Sequence, residues 1–254
     1  MPLSKNQIKW IKSLHQKKIR QELQLFLVEG EHNLIELLQS NWQIHSLYCT
    51  VSFVEKYIDL IRTNKIPTYF VDILELQSIS TLENNTTALA VVKMYENLPS
   101  SKIEIQRTLV LDHIQDPGNL GTILRICDWY GIGQLVCSND CVELYNPKTI
   151  SASKGAFLRV KVFYTDLPTF LAQYPSVPKY GAMLKGDSVH TFDFQAIAWV
   201  VMGNEAQGIR PEVQKLLTHQ ITIPKFGKAE SLNVAMATAI ICDNWQRYLT
   251  QATS

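Results

Sequence analysis

The sequence predicts an α/β protein built on a mainly parallel sheet, and three observations carry that expectation. Short apolar runs alternate with segments of helical spacing along most of the chain. Toward the C-terminus the apolar runs become continuous, as strands covered on both faces require. Between two such runs lies Glu96-Asn97-Leu98-Pro99-Ser100-Ser101-Lys102-Ile103-Glu104, polar and broken by a proline, which reads as a linker. It divides the chain into residues 1–97 and 105–254.

In the first part, residues 3–20 have helical spacing at Ile8, Ile11 and Leu14. A short strand over 26–30 ends at Gly30, a helix over 33–39 follows, and 44–50 is a strand. Residues 53–63 read as a helix, 68–71 as a strand and 88–94 as a last apolar strand. The second part alternates more cleanly. Strands are expected at 108–113, 134–138, 160–164, 180–184, 198–202 and 221–223, and helices at 119–130, 167–173 and 211–217, with a closing helix at 232–249. Pro211 suits a first helical turn, where its missing N–H costs nothing. No internal repeat or low-complexity tract interrupts the pattern.

A chain of 254 residues, 46% hydrophobic and 19% charged, can bury a sizeable core. The net charge of +1 excludes a general polycation. The charge is uneven, because Lys5, Lys9, Lys12, Lys17, Lys18 and Arg20 all precede the first carboxylate, Glu22. Such a stretch either holds phosphates or is a solvated helix face. The five cysteines contain no C-x-x-C pair, and Cys137 with Cys141 lacks a second ligand pair, so no metal is expected. Buried free thiols in a reducing compartment are the expected state. The start Met1-Pro2-Leu3-Ser4-Lys5 has no apolar signal core, and no apolar run approaches the roughly 20 residues that span a bilayer. A cytoplasmic protein without a membrane segment is expected.

Three stretches join a predicted strand to a polar, glycine-containing turn and then to a helix. The first is Asp116-Pro117-Gly118-Asn119-Leu120-Gly121-Thr122-Ile123-Leu124-Arg125. Asn119 is expected at or near the helix N-cap, which would explain it without function. Arg125 sits among apolar neighbours, where an arginine is commonly snorkelling or ion-paired. The second is Gly203-Asn204-Glu205-Ala206-Gln207-Gly208-Ile209. Its glycine implies a close approach to the main chain, and Glu205 could cap the next element or pair with Arg210. The third is Ile223-Pro224 followed by Ser231-Leu232-Asn233-Val234-Ala235, with Ser231 as a possible N-cap and Asn233 inside the first turn. Polar groups gathered where parallel strands end are what a ligand site in an open α/β sheet requires.

In order and wording the three stretches resemble the motifs of the SpoU (TrmH) family of RNA ribose 2′-O-methyltransferases. Asn119, Gly121 and Arg125 match the first motif, Gly203, Glu205 and Gly208 the second, and Ser231 to Val234 the third. The resemblance covers residues 108–249. It implies a SPOUT-type sheet with a C-terminal trefoil knot, and S-adenosylmethionine held largely by backbone. Gly203, Ile223 and Leu232 would lie at the adenosine end, with Met202 and Asn233 beside them. It further implies a homodimer, with Arg125 reaching toward the partner's site. Phe26-Leu27-Val28-Glu29-Gly30-Glu31 and the helix after it look like the RNA-binding domain that many such enzymes carry. Lys225 departs from the methionine frequent after Ile-Pro in the family.

What the resemblance implies chemically is an in-line displacement of a methyl group from a sulfonium to a ribose hydroxyl. Arg125 would bind the adjoining phosphate and stabilise the developing alkoxide, with general-base action left open. Asn119, Ser231 and Asn233 would position the ribose or the cofactor's polar end, and Glu205 would hold the loop or Arg125 in place, with no metal. The 2′-hydroxyl restricts the substrate to RNA, ribosomal RNA ahead of transfer RNA. The competing readings are a non-catalytic RNA-binding or ribosome-assembly protein, and a nucleotide-binding α/β enzyme. The second needs a G-x-G-x-x-G or G-x-x-x-x-G-K-[ST] loop, and neither occurs.

Overall fold

A computed structural model describes residues 3–252. Met1-Pro2 and residues 253–254, the outer ends of the two expected domains, lie outside the described residues. The chain folds as two compact units. One holds residues 3–96 together with Glu143–Leu158, and the other holds Asn97–Val142 with residues 159–252.

In the first unit the expected helix over 3–20 is two helices, α1 (Lys5–Ser13) and α2 (Lys17–Leu23). Ser4 and Gln7 form a capping box that starts α1, and Ile11 and Leu14 are fully buried. Arg20 is also buried. Its guanidinium donates to the carbonyls of Leu14 and His15 at 2.8 Å and pairs with Glu143. One of the six expected surface cations is therefore part of the core.

Then come β1 (Leu25–Glu29), α3 (Glu31–Leu38), β2 (Ile44–Cys49), α4 (Val51–Asn64), β3 (Thr68–Phe70), α5 (Ile73–Ile79) and β4 (Ala88–Lys93). The sheet order is β1-β4-β2-β3, antiparallel except for β2 with β3. The helix α5 went unpredicted. Asp72 and Glu75 close a capping box at its start, and Leu76 and Ile79 join the core with Leu27, Tyr48, Leu89 and Val91. A second unpredicted helix, α7 (Pro147–Ser153), packs on β1, and Asn33 Nδ2 donates to the carbonyls of Glu29 at 3.2 Å and of Ile150 at 3.5 Å.

The second unit holds β5 (Thr108–Asp112), α6 (Pro117–Trp129), β6 (Gln134–Ser138), β7 (Lys161–Thr165) and α8 (Leu167–Ala172). After them come β8 (Lys179–Ser188), β9 (Trp199–Gly203), α9 (Pro211–Gln214), β10 (His219–Thr222) and α10 (Val234–Ala252). Its sheet runs β10-β8-β9-β5-β6-β7, and every pairing is parallel. Burial explains the continuous apolar runs, since β5 and β6 are buried at every residue. Val110, Val136 and Val201 meet Phe170 and Trp199, whose rings stack at 5.6 Å. The expected linker contributes to this core. Ile103 is buried, and its carbonyl accepts from Trp199 Nε1 at 3.2 Å.

From β5 the chain steps to β6 on one side, whereas from β9 it goes on to β10 on the other. The crevice at the C-terminal ends of β5 and β9 is thus a topological switch point, where ligands bind in open α/β sheets. Asp112 and Gly203, the last residues of the two strands, stand side by side in the register.

Candidate active site

The first motif leaves β5 at that crevice. His113 takes a left-handed conformation (φ 62°), and its N–H donates to Ser138 Oγ at 2.9 Å. Asp116, not Asn119, is the N-cap of α6. Its Oδ1 accepts from the Asn119 N–H at 2.7 Å, and Pro117 occupies the first turn. With the cap supplied by Asp116, the Asn119 side chain is free to turn outward. It donates from Nδ2 to Glu205 Oε1 at 2.5 Å and accepts at Oδ1 from Asn233 Nδ2 at 2.9 Å.

The second motif explains its own glycine. A Cβ on Gly203 would stand 2.6 Å from the Gly208 carbonyl oxygen and closer still to Gly208 C and Ile209 N. The bulk that approaches Gly203 is the chain's own returning backbone. Asn204 and Gly208 exchange backbone hydrogen bonds at 3.1 and 2.8 Å, and Gly208 adopts a positive φ of 70°. The Asn204 side chain donates to the His113 carbonyl at 3.0 Å and accepts from the N–H of Ala206 and Gln207. The loop is therefore a closed turn tied to the first motif, and Glu205 projects from it.

Arg210 does not reach Glu205. It grips Asp112, whose side chain is fully buried, through its backbone N–H at 2.8 Å and its Nε at 2.7 Å. A further contact runs to Asp140 at 3.1 Å. The carboxylate of Asp112 raises the guanidinium pKa, outweighing partial burial. Asp140 is desolvated, which raises its pKa, but hydrogen bonds from Ser138 and His113 and the charge of Arg210 bring it below the usual carboxylate value. Sequence reasoning missed the roles of Asp112, Asn204 and Arg210. The available signal was a carboxylate closing an apolar strand and an arginine just before a helix-starting proline.

In the third motif α10 begins at Val234, two residues later than expected. The cap is Asn233, not Ser231. Its Oδ1 accepts from the N–H of Ala235 at 3.0 Å and of Met236 at 3.3 Å, while its Nδ2 reaches Asn119. Ser231 is exposed and has no hydrogen-bond partner among the described residues.

Three of the expected site residues thus form one hydrogen-bonded chain, Glu205–Asn119–Asn233, with one link from each motif. Met202 is buried one residue before Gly203. Ile223 directly follows β10, and Leu232 is half exposed beside Asn233. Arg125 is exposed on α6 and makes no ion pair or hydrogen bond among the described residues, neither to Glu205 nor elsewhere. From residue 223 to 232 the backbone N–H and C=O groups have no partner among the described residues. Such groups seek partners. Main-chain donors and acceptors of this kind could be met by a bound ligand.

The model of the SpoU rRNA Methylase family matches residues 106–243, more than half of the chain. The chain belongs to the SpoU rRNA methylase family. An MRM3-like substrate binding domain matches residues 5–90. Among SpoU relatives, the 23S rRNA (guanosine(2553)-2′-O)-methyltransferase RlmP of Bacillus subtilis is 30% identical, over 94% of this chain and 95% of its own. An rRNA methyltransferase from Sinorhizobium meliloti, solved with AdoMet bound, superposes with a TM-score of 0.87 at 25% identity, covering 98% of both chains. A TrmH-family protein from Porphyromonas gingivalis gives 0.84 at 33% identity, covering 96% of this chain and 98% of that one. The fold is that of these SpoU methyltransferases, a parallel sheet with helices and a smaller N-terminal domain. Among the described residues no helix is long and apolar enough to cross a membrane, and no cluster could hold a metal.

Proposed function

We propose that this protein transfers a methyl group from S-adenosylmethionine to a ribose 2′-hydroxyl of ribosomal RNA. The observation that carries the reading is the Glu205–Asn119–Asn233 chain, which locks three distant motifs together at the switch point of the sheet. Residues 105–254, apart from Glu143–Leu158, which pack in the first unit, form the methyltransferase domain and residues 1–97 the RNA-binding one. The relative RlmP, similar over nearly its whole length, is named for this chemistry on 23S rRNA.

The unpaired backbone at Ile223 and Leu232, at the two ends of the loop, would hold the cofactor's nucleoside, with Met202 and Gly203 at the neighbouring strand end. When bound, S-adenosylmethionine would supply the methyl from its sulfonium and leave as the neutral thioether, and the proton of the ribose hydroxyl would pass to solvent. Asn119 and Asn233, bonded to each other, would fix the loop ends and position the ribose against the methyl donor, and Ser231, without a partner among the described residues, would offer its hydroxyl to the reactants' polar groups. Glu205 holds the Asn119 amide in one orientation. Arg125, exposed and without a partner among the described residues, binds the phosphate beside the target ribose and stabilises the developing alkoxide. A guanidinium stays protonated below about pH 12, which makes orientation and charge its contribution.

The enzyme acts as a homodimer in the cytoplasm, with the chain knotted as in its family. Trp129, 83% exposed one turn beyond Arg125 on α6, and Met236, 62% exposed on α10, supply the apolar surface for a second copy. That contact would carry Arg125 toward the partner's cofactor loop.

Purified protein incubated with labelled S-adenosylmethionine and protein-free bacterial 23S rRNA or tRNA tests the reading. Labelled 2′-O-methyl nucleosides are expected from the ribosomal RNA, and absence of label from every RNA refutes the proposal. Arg125→Ala should abolish transfer while cofactor affinity and oligomeric mass persist. Near-normal turnover in that variant would remove Arg125 from the mechanism.

A further inference from the structure

The loop from Ile223 to Asn233 carries a feature that holding the cofactor does not use. At its exposed part stand Lys225, Phe226, Gly227 and Lys228 in sequence. Phe226 is 92% exposed, more than any other large hydrophobic residue of the described chain. Leaving a phenylalanine in water forgoes about 1.5–3 kcal/mol of burial, so an aromatic ring held this way needs a function or a cover. The flanking lysines are exposed too, and neither has an ion-pair partner among the described residues. Gly227 has nothing within 4 Å of where a Cβ would stand, so no neighbouring element packs over the tip.

The fold fixes where this tip lies. The strand β10 runs parallel to β8, and β8 to β9 and β5, so the loop leaves the same edge of the sheet as the first two motifs. Its other end is Asn233, bonded to Asn119. Phe226 is seven residues from Asn233, a reach of at most about 25 Å for extended chain, or a few nucleotides along an RNA strand.

An exposed aromatic ring between two unpaired cations is the combination that binds single-stranded nucleic acid. The ring stacks on any base, and the cations track the phosphates. We propose that Phe226 stacks on an unpaired base flanking the methylated nucleotide, with Lys225 and Lys228 on the adjoining phosphates. This deepens the methyltransferase reading and rests on it. The stack makes the loop that holds the cofactor also a reader of the RNA's single-stranded state, because a base inside a duplex has no free face to offer.

The test measures binding and turnover separately on the full-length protein. A fluorescent short single-stranded RNA, and the same strand in a duplex, serve as probes. Phe226→Ala should weaken single-strand binding about 5- to 150-fold, the loss for one stacked base, and leave the weaker duplex binding unchanged. Phe226→Trp should restore it. Lys225→Gln with Lys228→Gln should lower the slope of log affinity against log salt by about 0.7 for each phosphate no longer neutralised. Cofactor affinity by calorimetry, oligomeric mass and melting temperature should all stay at wild-type values. Unchanged single-strand affinity in Phe226→Ala overturns the proposal. So does a loss accompanied by a changed mass or a weakened cofactor site, since the ring would then be covering a second copy or the adenine. Should wild-type protein methylate no RNA, the enzyme reading fails by itself, and the binding arms still decide what Phe226 touches.

Discussion

Replacing Asn119 by Asp changes almost nothing in shape and reverses the logic of the motif network. The Asn119 amide nitrogen lies 2.5 Å from Glu205 Oε1, and its oxygen accepts from Asn233. Asn119→Asp keeps the acceptor for Asn233 but sets a second carboxylate oxygen against Glu205. Two unit charges at that separation repel by about 332/(80 × 2.5), or about 1.7 kcal/mol, in a water-like dielectric. The lost charge-assisted hydrogen bond adds about 1.5–3 kcal/mol. Glu205 is exposed and Asn119 half-buried, so screening and side-chain rotation reduce the total to about 1–2 kcal/mol near neutrality. For a chain of this size that lowers the melting temperature by about 2–8 °C.

Repulsion raises the folded-state pKa of one carboxyl above its unfolded value of about 4. The folded variant then binds the extra proton more tightly, so its deficit is full above the raised pKa and fades as pH falls toward about 4. Asn119→Ala, which loses the hydrogen bond without adding a charge, should show a deficit that varies less with pH than that of Asn119→Asp. Moving the loop ends by about 1 Å should cost methyl transfer about 100-fold at neutral pH. Calorimetric melting of the three proteins between pH 4 and 8, with labelled methyl transfer at neutral pH, reads both effects. If Asn119→Asp melts like wild type at every pH and turns over normally, the network holds nothing in place.

Gly203→Ala should destabilise the protein by about 1–3 kcal/mol and cut cofactor affinity, because the new methyl overlaps Gly208 and Ile209 backbone; melting and calorimetric titration would check it. Removing Ile11, Leu14 and Arg20 along with the basic stretch would damage the core, so Lys5→Gln, Lys9→Gln and Lys12→Gln together are the cleaner probe. They should reduce the salt slope of RNA binding by about 1 for each phosphate left without its lysine while melting is unchanged, and an unaltered slope would return these lysines to a solvated face. Arg20→Ala should cost about 3–5 kcal/mol in a denaturant titration, since it strands the Glu143 carboxylate.

The alternation of apolar runs placed most strands and helices of both sheets within a few residues, because burial on both faces of a parallel sheet writes continuous hydrophobic runs into the chain. The wording of the three motifs marked segments that the fold brings together. What sequence left undecided was mostly non-local. Asn119 and Ser231 have the right types for caps, but Asp116 and Asn233 win those positions, and only that outcome frees the Asn119 amide for Glu205. Arg210 had Glu205 five residues away as a candidate partner, yet it turns to Asp112, because a charge buried at a strand end needs compensation more than an exposed one does. Residues Glu143–Leu158 lie within the second half of the sequence and pack in the first unit, where Glu143 meets the buried Arg20. Local propensity decided which segments became strands and helices. Only tertiary structure decided which polar groups met, because their partners lie 86 to 123 residues apart.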